Sequence, residues 1–191
     1  MPLHRLDEGI WEGCSHLRLH GLRFPRRMTV IRLENGTLWV HSPNRLTDAM
    51  REALDGIGPV GHLVAPNRYH HFWLEDYREA YPEARLHGAP GLGSRLLGKR
   101  PGLVFDTELS GVAAPEWVGE IDQVLVEGIE LGETVFFHRR SATVLLTDLA
   151  FHLGDQESFA TRLVGRLMGV RRRCCTPRML RFLLKDRRAF S

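Results

Sequence analysis

Two short segments of this chain carry residue types at spacings that chemistry can use. In Val64-Ala-Pro-Asn-Arg-Tyr-His-His-Phe-Trp, His70 and His71 stand side by side just after an apolar run, at the start of a helical pattern. Histidine is the commonest metal-ligating side chain near neutral pH, and ligands gather at strand ends in α/β folds. Successive residues at a strand-to-helix turn can converge on one ion; successive residues within a strand point to opposite faces. The second segment is Ala142-Thr-Val-Leu-Leu-Thr-Asp-Leu-Ala-Phe-His, in which Asp148 ends the apolar run and His152 follows four residues later. A carboxylate at the end of a buried strand is costly unless it is paired, hydrogen-bonded or metal-bound. Taken singly, each of these residues also suits a helix cap, a turn or a satisfied core group.

Other candidates are weaker. Cys14 lies near His16 and His20, but no acid accompanies them as a nucleophile would require. Cys174 and Cys175 adjoin Arg171, Arg172 and Arg173, which would lower a thiol pKa and favour oxidation, although packing at a helix boundary is the simpler reading. Glu133 and His138 have opposite parity on one strand and are expected to serve different sites. Gly88-Ala-Pro-Gly-Leu-Gly opens no convincing helix after a strand, so it is not read as a dinucleotide loop.

The elements that must position these residues follow from periodicity and breakers. Met28–Leu33 and Thr37–His41 read as strands joined by Glu34-Asn35-Gly36, where Asn-Gly predicts a two-residue turn with Gly36 at positive φ. Thr47 caps a helix carrying Met50, Ala53 and Leu54, which Gly56, Gly58 and Pro59 end. Val60–Ala65 is a buried strand, His71–Ala80 a helix, and Ala84–His87 a strand; a short helix lies around Ser94–Leu97. Three strands follow at Gln123–Val126, Thr134–His138 and Thr143–Thr147, then helical patterns at Gln156–Met168 and Pro177–Arg187. A hairpin, then alternation with helices, then a run of strands implies a mixed sheet or two sheets with helices outside.

Composition bounds the rest. With 191 residues, 43% hydrophobic and 26% charged, one globular domain spanning 1–191 is expected, with a basic helical C-terminal segment from about 156. No apolar run reaches the ~20 residues of a membrane helix, and the charged start does not resemble a secretory signal. Three cysteines, two of them adjacent, agree with a reduced, cytoplasmic setting. The net charge of +3 is concentrated at the end, where Arg171–Arg188 could make weak, non-specific nucleic-acid contacts or simply keep a helical face solvated.

The run Met28–His152 resembles the metallo-β-lactamase superfamily and, within it, the DUF4336 family. The resemblance rests on Arg32-Leu, Leu38-Trp-Val-His-Ser-Pro43, Val64-Ala-Pro-Asn, His70-His71, Tyr81-Pro-Glu-Ala-Arg and Ser141-Ala-Thr-Val-Leu-Leu-Thr-Asp148. It implies a four-layer αββα sandwich with mixed sheets. The superfamily's His-x-His-x-Asp-His falls on Pro66–His71, so only His71 matches, with His70 in place of the aspartate. The family's later histidine would fall near Gly128–Gly132, where there is none, and no histidine follows His152. Asp148 matches the metal-bridging aspartate.

The resemblance therefore implies a half-dismantled centre: one divalent metal, zinc before manganese or iron, on His70, His71 and Asp148. His152 would be a fourth ligand or a partner of one. Three protein ligands and a water are the arrangement of a catalytic zinc. The function implied is a metal-dependent hydrolase acting on an ester, thioester, lactone or phosphodiester as its small-molecule substrate. In it Asp148 or His152 would take the proton and Asn67 would polarise the substrate oxygen. Arg68 is expected to point away or to fill the vacated site. The alternative is a non-catalytic binding or regulatory module that has lost its metal. Oligomeric state is left open by the sequence.

Overall fold

Alternation along the strands sorts the side chains of this chain into two cores on either side of one sheet. In the computed structural model, described for residues 3–19, 22–151, 159–170, 174–178, 180, 183–184 and 186, a seven-stranded sheet runs β1-β2-β3-β4-β5-β6-β7 in space and in sequence. The strands are β1 (His4–Asp7), β2 (Ile10–Leu19), β3 (Leu22–Arg32), β4 (Leu38–His41), β5 (Val60–Ala65), β6 (Arg85–Gly88) and β7 (Thr107–Glu108). The first four pair antiparallel; β4 to β7 pair parallel, with α1 (Asp48–Asp55), α2 (Leu74–Ala80) and α3 (Leu92–Leu96) in the crossovers. A second, antiparallel sheet orders β10 (Thr143–Leu145), β9 (Thr134–His138) and β8 (Ile121–Leu125).

Met28 and Val30, Leu38 and Val40, Leu63 and Ala65, and Leu86 point to one face of the large sheet, where Met50, Leu54, Leu74, Tyr77, Leu92 and Leu96 of the helices cover them. Residues of opposite parity, Ile31, Trp39 and Val64, meet Ile121, Phe136 and Leu145 of the small sheet, with Trp117 between. β4 and β5 are thus largely apolar on both faces, as buried parallel strands tend to be, while β6 turns Leu86 to one face and His87 to the other. Thr47 caps α1 as expected, its Oγ1 accepting from the Met50 amide at 3.2 Å.

Four expectations need correction. The Asn35-Gly36 turn does have Gly36 at φ +84°. However, Leu33 donates to Thr37 O, so the loop holds three residues, Glu34 to Gly36, rather than two. The helix expected from His71 starts at Leu74: the Leu74 amide closes a single turn on His71 O, and Tyr77 is bonded back to Trp73 O. The strand expected from Met28 begins at Leu22 as β3, running through Arg23, Pro25, Arg26 and Arg27, whose polarity disguised it, and β2 pairs with it over its whole length. In the stretch Pro177–Arg187, the described residues make 3-10 turns: Leu180 donates to Pro177 O and Leu183 to Leu180 O. Leu184 then bridges Ile129, so backbone groups that a helix would use are spent on the 128–130 loop. The helix expected from Gln156 is present as α4 (Phe159–Met168). All the basic residues of the run Arg171–Arg188 except Arg178, and also His152, lie outside the described residues. Among the described residues, no helix is long and apolar enough to cross a membrane.

Candidate functional site

The carboxyl ends of β4 and β5 and the edges of the small sheet deliver a polar cluster to one place. β4 ends at His41 and runs into Ser42; β5 ends at Ala65 and runs into Asn67 and His70. From the other sheet come Glu133, just before β9, and Thr147-Asp148, just after β10. Arg26, within β3, completes it.

His70 is the hub. Its Nδ1 lies 2.5 Å from Ser42 Oγ and its Nε2 lies 3.4 Å from Asp148 Oδ2. Asp148 as the anionic partner selects the Nε2–H tautomer, leaving Nδ1 to accept from the Ser42 hydroxyl. The Arg26 guanidinium reaches both groups, with Nη2 3.4 Å from His70 Nδ1 and from Ser42 Oγ. Its Cζ sits over the rings of Phe72, at 5.6 Å, and Trp73, at 4.9 Å, which suits a largely buried cation. Burial pushes Arg26 down to about 10, opposed by Asp148, so it stays charged at neutral pH. Ser42 has φ +52°, unusual for a residue with a Cβ, and no exposed surface.

Asp148 is held from below. Asn67 Nδ2 donates to Asp148 Oδ2 at 2.8 Å, Thr147 Oγ1 at 3.0 Å and Glu133 Oε2 at 3.2 Å. The carboxylate of Glu133, wholly buried, accepts from the Thr147 and Asp148 amides, both at 2.8 Å. Burial raises Glu133, against the hydrogen bond from the Thr147 amide. For Asp148 burial also pushes upward, but the contacts with His70, Asn67 and Arg26 prevail and hold it below the usual carboxylate range.

The chain resembles known proteins at two levels. The sequence model of DUF4336, a domain of unknown function, matches residues 8–168. The chain belongs to the DUF4336 family. Its fold is that of the metallo-β-lactamases. A metallo-β-lactamase from Pontibacter korlensis superposes with TM-score 0.63 at 11% identity, covering 79% of this chain and 73% of that one. The metallo-β-lactamase DIM-1 gives 0.64 at 13% identity, with 82% and 73% covered. A metallo-β-lactamase from Hirschia baltica gives 0.55 at 11%, with 75% and 70% covered. No curated protein sequence matches this chain.

Against that fold, this DUF4336 chain departs at the metal centre. Two donors, His70 Nε2 and Asp148 Oδ2, stand close together, but a zinc needs a third protein ligand. Among the described residues no group of three His, Cys, Asp or Glu side chains could hold one ion. His70 Nδ1 is given to Ser42 and Asp148 Oδ2 to Asn67, while the buried Arg26 cation beside His70 would repel a dication. His71 stacks on Phe72 with ring centroids 5.2 Å apart. Burial, reinforced by Arg100, pushes His71 down to about 4, and its buried Nδ1 has no hydrogen-bond partner among the described residues. In this structure the described side chains therefore bring two donors to one point, not the three that a resident zinc needs. Nor does Asn67 have a donor to spare for a substrate, since its amide hydrogens are spent on Glu133, Thr147 and Asp148.

Arg68 fills space instead of pointing away. Its Nε donates to Pro90 O at 2.9 Å and its Nη1 to Glu130 O at 3.2 Å, against the 128–132 loop where the superfamily's later histidine is missing. Gly91 and Gly132 leave it room, for a Cβ at either would come within 3.3 Å of its guanidinium group. Sequence reasoning missed Arg26, Ser42 and Thr147, and singled out Glu133 only to separate it from His138. Arg26 did carry a signal: it shares the parity of Met28 and Val30, so a charge continues an apolar face.

Proposed function

We propose that this chain is a hydrolase of ester-class bonds that uses His70, Asp148 and Arg26 where its fold relatives use metal ions. One observation carries the reading: a single imidazole lies beside a hydroxyl on one nitrogen and a half-buried carboxylate on the other, with a guanidinium alongside. Asp148 orients the ring and stabilises the imidazolium formed when His70 takes a proton, and Arg26 balances negative charge developing on a substrate oxygen. Asn67, Glu133 and Thr147 keep Asp148 in place. A resident zinc on His70, His71 and Asp148, with or without His152, is the second reading. The unpartnered, buried Nδ1 of His71 favours it.

The test is turnover of a p-nitrophenyl ester, a thioester, a lactone and bis(p-nitrophenyl) phosphate by protein stripped with chelator. Activity should persist without metal and fall by about 10²-fold or more in His70→Ala and Asp148→Asn. Activity that appears only with zinc, manganese or iron, and disappears in His71→Ala, supports the metal reading instead. No turnover with or without metal would leave the non-catalytic binding module as the function of this fold.

A further inference from the structure

We infer that Ser42 is a nucleophile, and that the site hydrolyses carboxylic esters through an acyl-Ser42 intermediate; this rests on the hydrolase reading above. Three observations converge on that side chain. Ser42 Oγ lies 2.5 Å from His70 Nδ1, the far nitrogen of the same ring lies 3.4 Å from Asp148 Oδ2, and Arg26 Nη2 lies 3.4 Å from the same Oγ. A hydroxyl, a base within hydrogen-bond reach and an acid that orients the base are the parts of an activated serine, recognised by geometry and role, not by chain order. The backbone points the same way. Ser42 ends a parallel strand with φ +52°, its amide held by Val64 O at 2.9 Å, and strained positions of this kind cluster at working sites. Apart from Ser42, Ala142 is the one other non-glycine residue at positive φ among those described, and it lies in the tight turn between β9 and β10.

The steps balance with water as the second reactant. The Ser42 hydroxyl proton passes to His70 Nδ1 as Oγ bonds to the ester carbonyl carbon, and Arg26 faces the resulting oxyanion. The C–O bond to the alcohol breaks, and the leaving oxygen takes the proton from His70. Water then adds to the acyl carbon, giving its proton to His70; the Ser42 Oγ–C bond breaks, and Ser42 regains that proton as the acid departs. Because the intermediate is an acyl group on Ser42, the route serves carboxylic esters and thioesters.

Ser42 is sealed in this structure by His70 and Arg26, and Arg26 in turn lies under Phe72 and Trp73. Phe72 is 40% exposed, so it is the part of the cover that can move without unfolding the core. Phe72→Ala should therefore speed access to Ser42 by roughly tenfold, as removal of a gate does.

The experiment treats the full chain with a fluorophosphonate and, separately, with p-nitrophenyl acetate quenched in acid, followed by intact-mass and peptide mass spectrometry. Ser42→Gly is the control of choice, because glycine accepts φ +52° and keeps the backbone, as circular dichroism would verify. The expected result is one adduct on the peptide containing Ser42, faster in Phe72→Ala and absent in Ser42→Gly. Ester turnover in Ser42→Gly should be lower on the order of 10³-fold or more. Undiminished turnover in Ser42→Gly, with no adduct in wild type or Phe72→Ala, overturns the nucleophile and leaves the hydrolase reading intact. Absence of both turnover and adduct in all variants removes both.

Discussion

Asn67 has two amide hydrogens and three acceptors within reach, Asp148, Thr147 and Glu133, and its own carbonyl takes the Tyr69 amide at 2.8 Å. Asn67 and Glu133 are buried, so the bond between them is made out of water, where an unmade bond costs most. Two carboxylates lean on Asn67. Glu133 is kept tolerable by the Thr147 and Asp148 amides, and Asp148 by His70 and Arg26. Asn67→Ala should therefore cost about 2–3 kcal/mol of stability, read from urea denaturation, since it strands both acids. Asn67→Asp should be at least as harmful, as it would add a third negative charge among them. A loss below about 0.5 kcal/mol in Asn67→Ala would mean that solvent already shares these bonds.

At the scale of elements, the site owes its position to β4 and β5 ending at the same level. His41 pairs with Val64, so the residues after each strand emerge side by side and Ser42 meets the 66–70 turn. The α1 crossover sets that register. Its N-terminus is closed by Thr47, and Met50 and Leu54 anchor it on the sheet. Thr47→Ala should lower stability by about 1 kcal/mol in chemical denaturation, while Thr47→Asp should be nearly neutral. Equal losses in both would place the effect in packing, not in the cap.

For the molecule as a whole, the space between the sheets holds an acid-sensitive joint away from the His70 cluster. His62 Nδ1 and His87 Nε2 are 3.2 Å apart, His87 Nδ1 is 2.6 Å from Thr107 Oγ1, and Trp117 lies edge-on to both rings. Burial, with His62 adding to it, pushes His87 from 6.5 down to about 4; Glu116 and Asp106 oppose the shift and Arg85 supports it. The folded state thus binds fewer protons than the unfolded chain between those values. Stability tied to His87 is complete above about pH 6.5, declines as pH falls, and is gone by about pH 4, a loss on the order of 3 kcal/mol. Thermal melts across that range should show the decline, and His87→Gln should flatten it. A slope unchanged in His87→Gln would assign the acid sensitivity elsewhere.

Much of this architecture was legible in local pattern. Val60–Ala65 and Thr134–His138 end in the structure where they end in the sequence, because apolar runs bounded by glycine, proline or charged residues leave little choice. His70 and Asp148 were visible as polar groups at strand ends, and they do meet. Their partners were not visible. Arg26 and Ser42 are 44 and 28 residues from His70, and Glu133 is 15 from Asp148. Which residues face each other across such distances depends on sheet register and on how two sheets close over one another, and no periodicity within a strand encodes that. Whether Asn67 serves a substrate or a carboxylate, and whether a cation at this centre is a metal or a guanidinium, are likewise matters of what surrounds each group once it is buried. Composition and spacing specify the elements and the donors; desolvation and distance, which exist only in the folded chain, assign the donors their partners.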